Sequence, residues 1–534
     1  MARDTTKVAE WVLEKYEKLS SGRKNYETLC QDVTEYFAPN RDDFIQKQPI
    51  GANRLKRVYH PIGVECVEKA AADLYGLLTD PSGNWFEYAF DSLQYQMSPS
   101  MIVWLRRQSE VVFEKMYASR ARAAEAIART YYDDLTYGTS ILYISWNRRD
   151  NCPLYQNLRL SECFFSEDEA GRPDTLIRLF EMDVKSIKRI YPAAVLPDNI
   201  KKEIEKNETS KKHEIIHAVF PNDEYSQSLS KKPFVSMIML KEDKTVLEVS
   251  GYDEFPFAIT RWETAPGEVW GRSRAMTALP DVKSLQLMTK EMLESAQLAN
   301  RPMMFFKSEE QKLSVPVIRP GGYGVYEEEP PVPFNAGNNY RAALEVIQNI
   351  EERVRHEFAL YKINDLQGTH RTREEILQRI LEGTRLLGPI AGRQMAEKLD
   401  VILLRTFNLC VRHGAIEPPP EDVPFFDLKV VYNSPIAKMM KFERASRYEQ
   451  AFGSMAPLLQ VNPQAIDNLD TDAVLREIAQ IFGVPELLKP YEEVIQQRQI
   501  AAQQAAQAQN VQDAGNALTL QNMQNQVLQG GGNG

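Results

Sequence analysis

The pattern with the most obvious chemical potential in this sequence is HEIIH at residues 213–217. On a helix, two histidines four residues apart share a face and can hold zinc, with the glutamate acting as general base. The run continues through β-branched and aromatic residues to Pro221, which is typical of a strand. On a strand, positions four apart are separated by about 13 Å, too far to chelate one ion. We therefore predict a structural strand, with a zinc metalloprotease as the alternative.

A second candidate is the glycine-rich run PGGYG at residues 320–324. No helix is predicted directly after it, and neither GxxxxGK[ST] nor GxGxxG occurs in the chain, so we predict a β-turn and not a phosphate cradle. A GxSxG nucleophile elbow is also absent. The chain is therefore predicted not to be an enzyme, and to use no cofactor and no metal.

A third candidate is the polar segment KINDLQGTHR at residues 362–371. It carries three basic or protonatable side chains, Lys362, His370 and Arg371, separated by flexible polar residues. Taken alone, this composition is that of a solvated connector. Its position between two long predicted helices is what distinguishes it from an ordinary connector.

Bulk composition narrows the class of protein. A chain of 534 residues is too long for one compact core, and 43% hydrophobic with 26% charged residues is typical of folded domains. The 64 basic and 74 acidic residues give a net charge of -10, which argues against a protein that coats nucleic acid by neutralising phosphates. It is compatible with a surface past which DNA slides without sticking.

Cellular location can also be predicted from the sequence. The five cysteines are scattered and form no CxxC pair, which favours a reducing compartment over a disulfide framework or zinc site. The N-terminal segment MARDTTKVAEWVLEKYEK is amphipathic and lacks an apolar core, so we expect no signal peptide. No window approaches the apolar length needed to span a bilayer. We expect a soluble intracellular protein that does not contact membranes.

The first half of the chain changes character at Gly138. Residues 1 to about 140 show helical periodicity, in two stripes up to Pro39 and in helices near 63–78, 101–117 and 121–135. From there to about residue 259, short β-type runs predominate. The clearest runs are 141–144, 175–180 and 234–240, and the charged stretch 201–212 between them is predicted to be a solvated helix plus a loop. Together these stretches predict one α+β domain that ends where the next helical pattern starts, near Ser273.

The second half of the chain predicts two amphipathic helices around a small β insertion. Their apolar stripes are Leu285, Met288, Met292, Ala296 and then Leu344, Ile347, Ile350, Val354, Phe358. A third long helix opens at a capping box formed by Thr372 and Glu375. Gly388-Pro389 within it predicts a bend, because proline removes one backbone hydrogen bond and clashes with the preceding turn.

The remaining sequence is simpler. A strand is predicted at 426–432, helical sequence follows through Leu488, and the tail from 491 is rich in Gln, Ala and Asn. Apolar residues are sparse in that tail. We therefore predict either a helix that depends on neighbours or a disordered segment.

Several motifs resemble those of the head-to-tail connector (portal) proteins of short-tailed bacteriophages. The most specific match opens with Thr372-Arg373-Glu374-Glu375 and continues through Leu387-Gly388-Pro389 and Gly392-Arg393 to Glu397. Two further stretches are similar to the family's entry to its first stem helix and to its early helix-turn. These are Trp270-Gly271-Arg272-Ser273 with Leu279-Pro280-Asp281, and Leu77-Leu78-Thr79-Asp80-Pro81 with Trp85-Phe86.

The resemblance implies an α+β, mostly helical portal fold, assembled as a dodecameric ring with wing, stem, clip and crown regions. The implied regions follow one another along the chain: wing 1–272, first stem helix 273–301, clip 302–338, second stem helix 339–361, tunnel loop 362–371, kinked wing helix and strand 372–435, crown 436–490, and C-terminal barrel or disordered tail 491–534.

The resemblance also implies roles for individual residues. In the tunnel loop, the residues expected to face DNA are Lys362, Asn364, Gln367, Thr369, His370 and Arg371. The helix kink is expected at Gly388 and Pro389. In the clip, the residues expected to contact terminase or adaptor are Phe305, Lys307, Arg319 and Tyr323.

The implied partners are those of a portal vertex: other copies of the chain, the terminase large subunit, tail adaptor or nozzle proteins, scaffold, the major capsid protein, and double-stranded DNA in transit. ATP hydrolysis would belong to the terminase. The implied location is the portal vertex of the virion, with the host cytoplasm during assembly. A different, non-pore virion protein is the remaining structural alternative.

Overall fold

A computed structural model describes most of the first 433 residues and a few segments beyond them. The described ranges are 2–49, 51–90, 99–208, 210–225, 230–300, 304–307, 323–326, 340–359, 388–420, 428–433, 453–455 and 471–482, with the single residues 451, 494, 497, 498 and 500. The chain divides into two compact units, Met1–Ala437 and Lys438–Gly534. In the described part of the second unit lies the helix Thr471–Phe482, whose Asp472 forms an ion pair with Arg498.

The first unit contains most of the described helices. In chain order these are α1 (Ala2–Phe37), α2 (Ile62–Leu78), α3 (Pro99–Tyr117), α4 (Ala123–Tyr137), α5 (Val184–Ile190), α6 (Asp198–Glu205), α7 (Arg274–Asn300), α8 (Tyr340–Phe358) and α9 (Asp400–Arg412). The turn directly before α9, Gln394–Leu399, is a π-helix. No helix in the described ranges combines the length and apolar content of a membrane span.

The strands of this unit form several small sheets. They are β1 (Phe86–Phe90), β2 (Thr139–Asn147), β3 (Cys152–Asn157), β4 (Cys163–Glu167), β5 (Pro173–Asp183), β6 (Lys212–Pro221), β7 (Phe234–Leu240), β8 (Val246–Tyr252), β9 (Phe257–Arg261), β10 (Glu263–Thr264), β11 (Gly271–Arg272), β12 (Met304–Lys307), β13 (Tyr323–Tyr326) and β14 (Leu428–Tyr432). The two larger sheets have strand orders β3-β2-β9 and β4-β5-β6-β7-β8, and every pairing in them is antiparallel.

The five-stranded sheet is covered by helices on both faces. Because side chains alternate along a strand, Ile216 and Ile215 of β6 point to opposite faces. Ile216 belongs to a buried cluster with Val8 and Val12 of α1. Ile215 belongs to a second cluster with Val184 and Ile187 of α5 and Ile200 of α6. The mixture of helices and antiparallel sheets confirms the predicted α+β class.

Helix α4 passes into β2 through a tight turn at Gly138, whose φ of 76° is in the left-handed region. The Gly138 carbonyl accepts a hydrogen bond from the backbone N–H of Trp262 at 2.8 Å. A Cβ added to Gly138 would lie 2.5 Å from the carbonyl oxygen of Gly271, and one added to Gly271 would lie 1.9 Å from that of Gly138. Two glycines therefore allow α4, β9 and β11 to meet.

Several sequence-based expectations need correction. Residues 2–37 form one continuous helix, since no proline interrupts the two predicted stripes. Residues 86–90, expected within a helical region, form β1 and pair antiparallel with β14. Phe86, Tyr88 and Phe90 alternate as buried residues, which is the period-2 pattern of a strand. Of the predicted β-turn at 320–324, Tyr323 and Gly324 belong to β13, and 320–322 lie outside the described residues.

Candidate functional site

The paired helices α7 and α8 correspond to the two predicted stem helices. Ser273 caps α7: its Oγ accepts a hydrogen bond from the Met276 N–H at 3.0 Å and donates one to the Thr136 carbonyl at 2.8 Å. Pro280 lies in the second turn of α7. Its missing N–H leaves one backbone carbonyl without the usual helical partner. Through the hydrogen bond from Ser273 to Thr136, the Trp270–Ser273 motif fixes the start of α7 to the end of α4.

Ion pairs join the two helices. Arg274 Nη1 of α7 is 2.7 Å from Glu357 Oε1 of α8, and Asp281 Oδ1 of α7 is 2.7 Å from Arg353 Nη2 of α8. Asp281 comes after Arg274 in α7, whereas its partner Arg353 comes before Glu357 in α8. The two helices therefore run antiparallel. Both ion pairs are partly exposed, and exposed ion pairs add little to stability. Their main effect is therefore to fix the register of the two helices.

The loop before α2 anchors this helix pair to the body of the unit. Gln286 Oε1 accepts hydrogen bonds from the backbone N–H groups of Tyr59 and His60, at 2.6 and 2.9 Å, and its Nε2 donates to the His60 carbonyl. His60 Nε2 is also 2.9 Å from Glu351 Oε1 on α8. One short loop thus holds both helices.

Burial along the helix pair is one-sided and incomplete. The α8 stripe predicted from the sequence is largely buried, with Ile347, Ile350, Val354 and Phe358 in the core. On α7, Leu285 is buried, but Met288 and Met292 are only partly covered and Ala296 is exposed. Large apolar side chains also face outward, namely Leu287 (57% exposed), Leu293 (47%) and Val346 (45%). This part of the pair presents apolar surface that the described residues of the first unit leave exposed.

The predicted clip contains a two-stranded parallel sheet. Strand β12 pairs with β13, with Phe305 opposite Gly324 and Met304 opposite Tyr323. The clip residues Phe305, Lys307 and Tyr323 lie on these strands, whereas Arg319 lies outside the described residues. A parallel pair cannot be joined by a tight hairpin, so β12 and β13 are not the two arms of a β-turn. Residues 320–322 lie outside the described ranges, and a turn there stays a prediction.

The predicted tunnel loop, with Lys362, Asn364, Gln367, Thr369, His370 and Arg371, lies outside the described residues, as does the capping box at Thr372. The next described residues, 388–393, are helical, and Pro389 is exposed in the first of these turns. The kink at Gly388-Pro389 therefore stays a prediction. What the structure adds is the π-turn that follows.

The π-turn is tied to β9 by a charged cluster that the sequence did not reveal. Glu397 Oε2 accepts a hydrogen bond from the Arg261 backbone N–H at 2.9 Å, and its Oε1 lies 2.9 Å from Arg261 Nη2. Arg261 also forms an ion pair with Glu167. Glu397, the last residue of the motif quoted above, therefore ties the π-turn to the end of β9. Its partner could not be identified from sequence spacing, because the two residues are far apart in the chain.

Next to Glu397, a fully buried ion pair ties the π-turn to α4. Lys398 Nζ is 2.5 Å from Asp134 Oδ2 and 4.0 Å from the centre of the Tyr131 ring. Burial raises the pKa of Asp134 and lowers the pKa of Lys398, while their mutual attraction opposes both shifts. Removing either partner would leave an uncompensated buried charge, a change that costs about 3–5 kcal/mol in other proteins.

The HEIIH segment lies in β6, which confirms the predicted strand. His213 Nε2 lies 2.7 Å from Glu203 Oε2, and His217 Nε2 lies 3.0 Å from Ser236 Oγ. Among the described residues, no three His, Cys, Asp or Glu side chains are grouped as metal ligands. Each imidazole therefore has a hydrogen-bonding partner of its own, and the zinc-protease alternative is not supported.

Comparison with known proteins identifies the family of a chain with this α+β body, antiparallel helix pair and π-turn. Residues 9–488 match the family model described as bacteriophage head to tail connecting protein. The chain belongs to this family.

Individual relatives narrow the class. The chain is 24% identical over 519 residues to the probable portal protein of Bordetella phage BPP-1, covering 93% of this chain and 92% of that protein. It is 23% identical over 523 residues to the portal protein of Salmonella phage epsilon15, covering 94% and 92%. Both similarities run nearly end to end, so the likeness in sequence is not confined to one domain.

Proposed function

We propose that the chain is the portal subunit of a tailed bacteriophage, and that copies of it form a ring around a DNA channel at one vertex of the capsid. The family match over residues 9–488 carries this proposal. The near-complete coverage of two phage portal proteins supports it. A dodecamer is the stoichiometry we propose.

In this ring, α7 and α8 are the stem. Their outward Leu287, Leu293 and Val346 need cover, which neighbouring copies around a closed ring would supply. The remaining regions follow the order given above: a wing before α7, a clip between the stem helices, the 362–371 segment facing DNA, and a crown from residue 436.

Electron microscopy of a stem variant tests the ring. In Leu287→Glu we expect subunits that fold but do not close, because the new carboxylate would be buried without a partner between neighbours. Two-dimensional class averages of the unaltered protein should show rings with an open axial channel, and counting subunits in them gives the stoichiometry. Solitary particles without a hole, from unaltered protein at high concentration, would refute the proposal.

Val195→Glu is the matched control for that experiment. Val195 is 80% exposed and lies between α5 and α6, away from the stem. The same change of an exposed apolar residue to glutamate should leave ring formation intact there. Loss of rings in both variants would mean that added negative charge, and not the stem surface, is responsible.

The other expected partners follow from this role. The clip strands β12 and β13 would meet the terminase large subunit during packaging and tail adaptor or nozzle proteins later, while scaffold and the major capsid protein would contact the outer wing. The chain would carry out no catalytic step itself, with ATP hydrolysis belonging to the terminase. It would reside at the portal vertex of the virion, and in the host cytoplasm during assembly.

A further inference from the structure

A group of buried polar atoms lies where the π-turn meets the three-stranded sheet. Gln394 is fully buried, and in the part of the chain that the structure describes neither its Oε1 nor its Nε2 has a hydrogen-bonding partner. The same is true of Asp134 Oδ1, Ser140 Oγ and Thr260 Oγ1. A buried polar atom left without a partner costs roughly 1–3 kcal/mol, so five in one place call for an explanation.

The strand register brings two of these residues together. Ser140 of β2 and Thr260 of β9 are directly opposite in the antiparallel pair, and each is at most 1% exposed. Opposed residues on paired strands point to the same face, with Cβ atoms about 5 Å apart. Two hydroxyl groups without a described partner therefore lie side by side on one buried face of the β2–β9 pair.

The other atoms face this pair from α4 and the π-turn. Burial raises the pKa of Asp134, and the neighbouring Ser140 and Gln394 partly oppose that shift. No hydrogen bond of ordinary geometry joins either of them to Asp134 Oδ1. Glu397, in the same π-turn as Gln394, bonds to the backbone N–H of Arg261, the residue after Thr260. Four elements, α4, the π-turn, β2 and β9, therefore converge here, each with a buried polar side-chain atom that has no partner among the described residues.

We propose that this cluster is an internal water site, in which one or two ordered waters bridge Asp134, Ser140, Thr260 and Gln394. A buried water typically makes about three hydrogen bonds to groups that would otherwise be unpaired, and this cluster offers both donors and acceptors. The ammonium of Lys398 already neutralises Asp134, so a bound metal cation is disfavoured here. If the 362–371 segment faces DNA as proposed above, the helical residues 388–412 that come later in the chain are joined to the wing partly through water.

The isosteric variant Thr260→Val tests the site. If water bridges the hydroxyl, the variant should lower the melting temperature by about 1–3 °C, even though valine favours a strand more than threonine does. In density at a resolution that shows other buried waters, a peak should lie within hydrogen-bonding distance of Thr260 Oγ1 and Ser140 Oγ. A dry site predicts the opposite sign, because removing an unpaired buried hydroxyl is neutral or stabilising.

Thr289→Val is the matched control, since Thr289 Oγ1 on α7 is also buried and unpaired but lies outside the cluster. We expect its melting temperature to be unchanged or higher. An unchanged or raised melting temperature in Thr260→Val, an equal fall in both variants, or absence of the density peak would each overturn the water site. None of these outcomes depends on ring assembly, so they leave the proposed function untouched.

Discussion

His217 lies half-buried in β6, beside Ser236 of β7 and cross-strand from Arg178 of β5. Burial, and to a lesser extent the charge of Arg178, lowers the pKa of this imidazole from 6.5 to about 4. The folded protein therefore holds His217 neutral at a pH where the unfolded chain would protonate it. A histidine that first suggests metal chemistry is therefore a group whose protonation at acid pH would destabilise the folded protein.

This difference predicts a pH-dependent stability. Because the folded pKa is lower than the unfolded one, the stabilising contribution is present above pH 6.5 and is lost as the pH falls toward 4. In His217→Asn, the free energy of unfolding should fall less between pH 7 and pH 4.5, by on the order of 1–3 kcal/mol. Denaturant unfolding at a series of pH values measures the effect.

Ser236→Ala is the control for this prediction. It removes the hydrogen bond to His217 Nε2 but keeps the buried ring, so the pH dependence should stay close to that of the unaltered protein. Equal pH slopes for His217→Asn and the unaltered protein would show that His217 does not titrate in this window.

At the level of elements, the contact between Gly138 and Gly271 decides how α4, β2, β9 and β11 come together. A side chain at Gly138 meets two obstacles, a φ of 76° and the Gly271 carbonyl at 2.5 Å. We expect Gly138→Ala to destabilise the first unit by more than about 2 kcal/mol, seen as a lower melting temperature or a lower soluble yield.

Gly267→Ala separates the two causes. Gly267 also has a positive φ, 80°, but an added Cβ would meet nothing within 4 Å. It should cost only about 1 kcal/mol, from backbone strain alone. If both variants lose the same stability, the close approach to Gly271 is not responsible.

The sequence was sufficient for elements whose signal is local. Helices α2, α3, α7 and α8 begin and end within a few residues of their predicted positions, because apolar periodicity and turn residues define them. The strand character of 213–217 was also readable from its β-branched residues. Interactions between distant positions were not readable, since spacing alone does not say that Glu397 meets Arg261 or that Lys398 meets Asp134.

Strand β1 illustrates the same limit. Its partner β14 lies at the far end of the first unit's sequence, with Phe86 opposite Tyr432 and Phe90 opposite Leu428. A short run beside several strong helices gives little reason to expect a strand until that partner is known. The predicted DNA-facing loop, the kink and the clip contacts stay predictions, because their main residues lie outside the described ranges or have no observed partner.

For the whole molecule, charge is the property that bears on DNA. A subunit with a net charge of -10, repeated around a channel, would repel the duplex overall and leave a few basic side chains to touch it weakly. The double variant Lys362→Ala/Arg371→Ala should therefore form normal rings but package or retain less DNA. The measurement is the fraction of DNA-filled heads after assembly.

Arg148→Ala/Arg149→Ala is the control, because it removes two basic residues from the hairpin between β2 and β3. It changes the net charge of the subunit by the same amount but leaves the 362–371 segment intact. Heads assembled with this variant should therefore package DNA normally. Normal filled heads from the Lys362/Arg371 variant would refute the assignment of the 362–371 segment.

Helix α1 has a consequence for how the protein is made. It buries Val8 and Val12 against β6 at one end, while at the other end Asp32 forms an ion pair with Lys283 and Phe37 contacts Phe358. All of these partners leave the ribosome after α1 does, and the last of them, Phe358, emerges only when well over half of the chain has been made. Until those partners are synthesised, the apolar residues of α1 are exposed to solvent. We therefore expect chaperones to bind this first segment during synthesis.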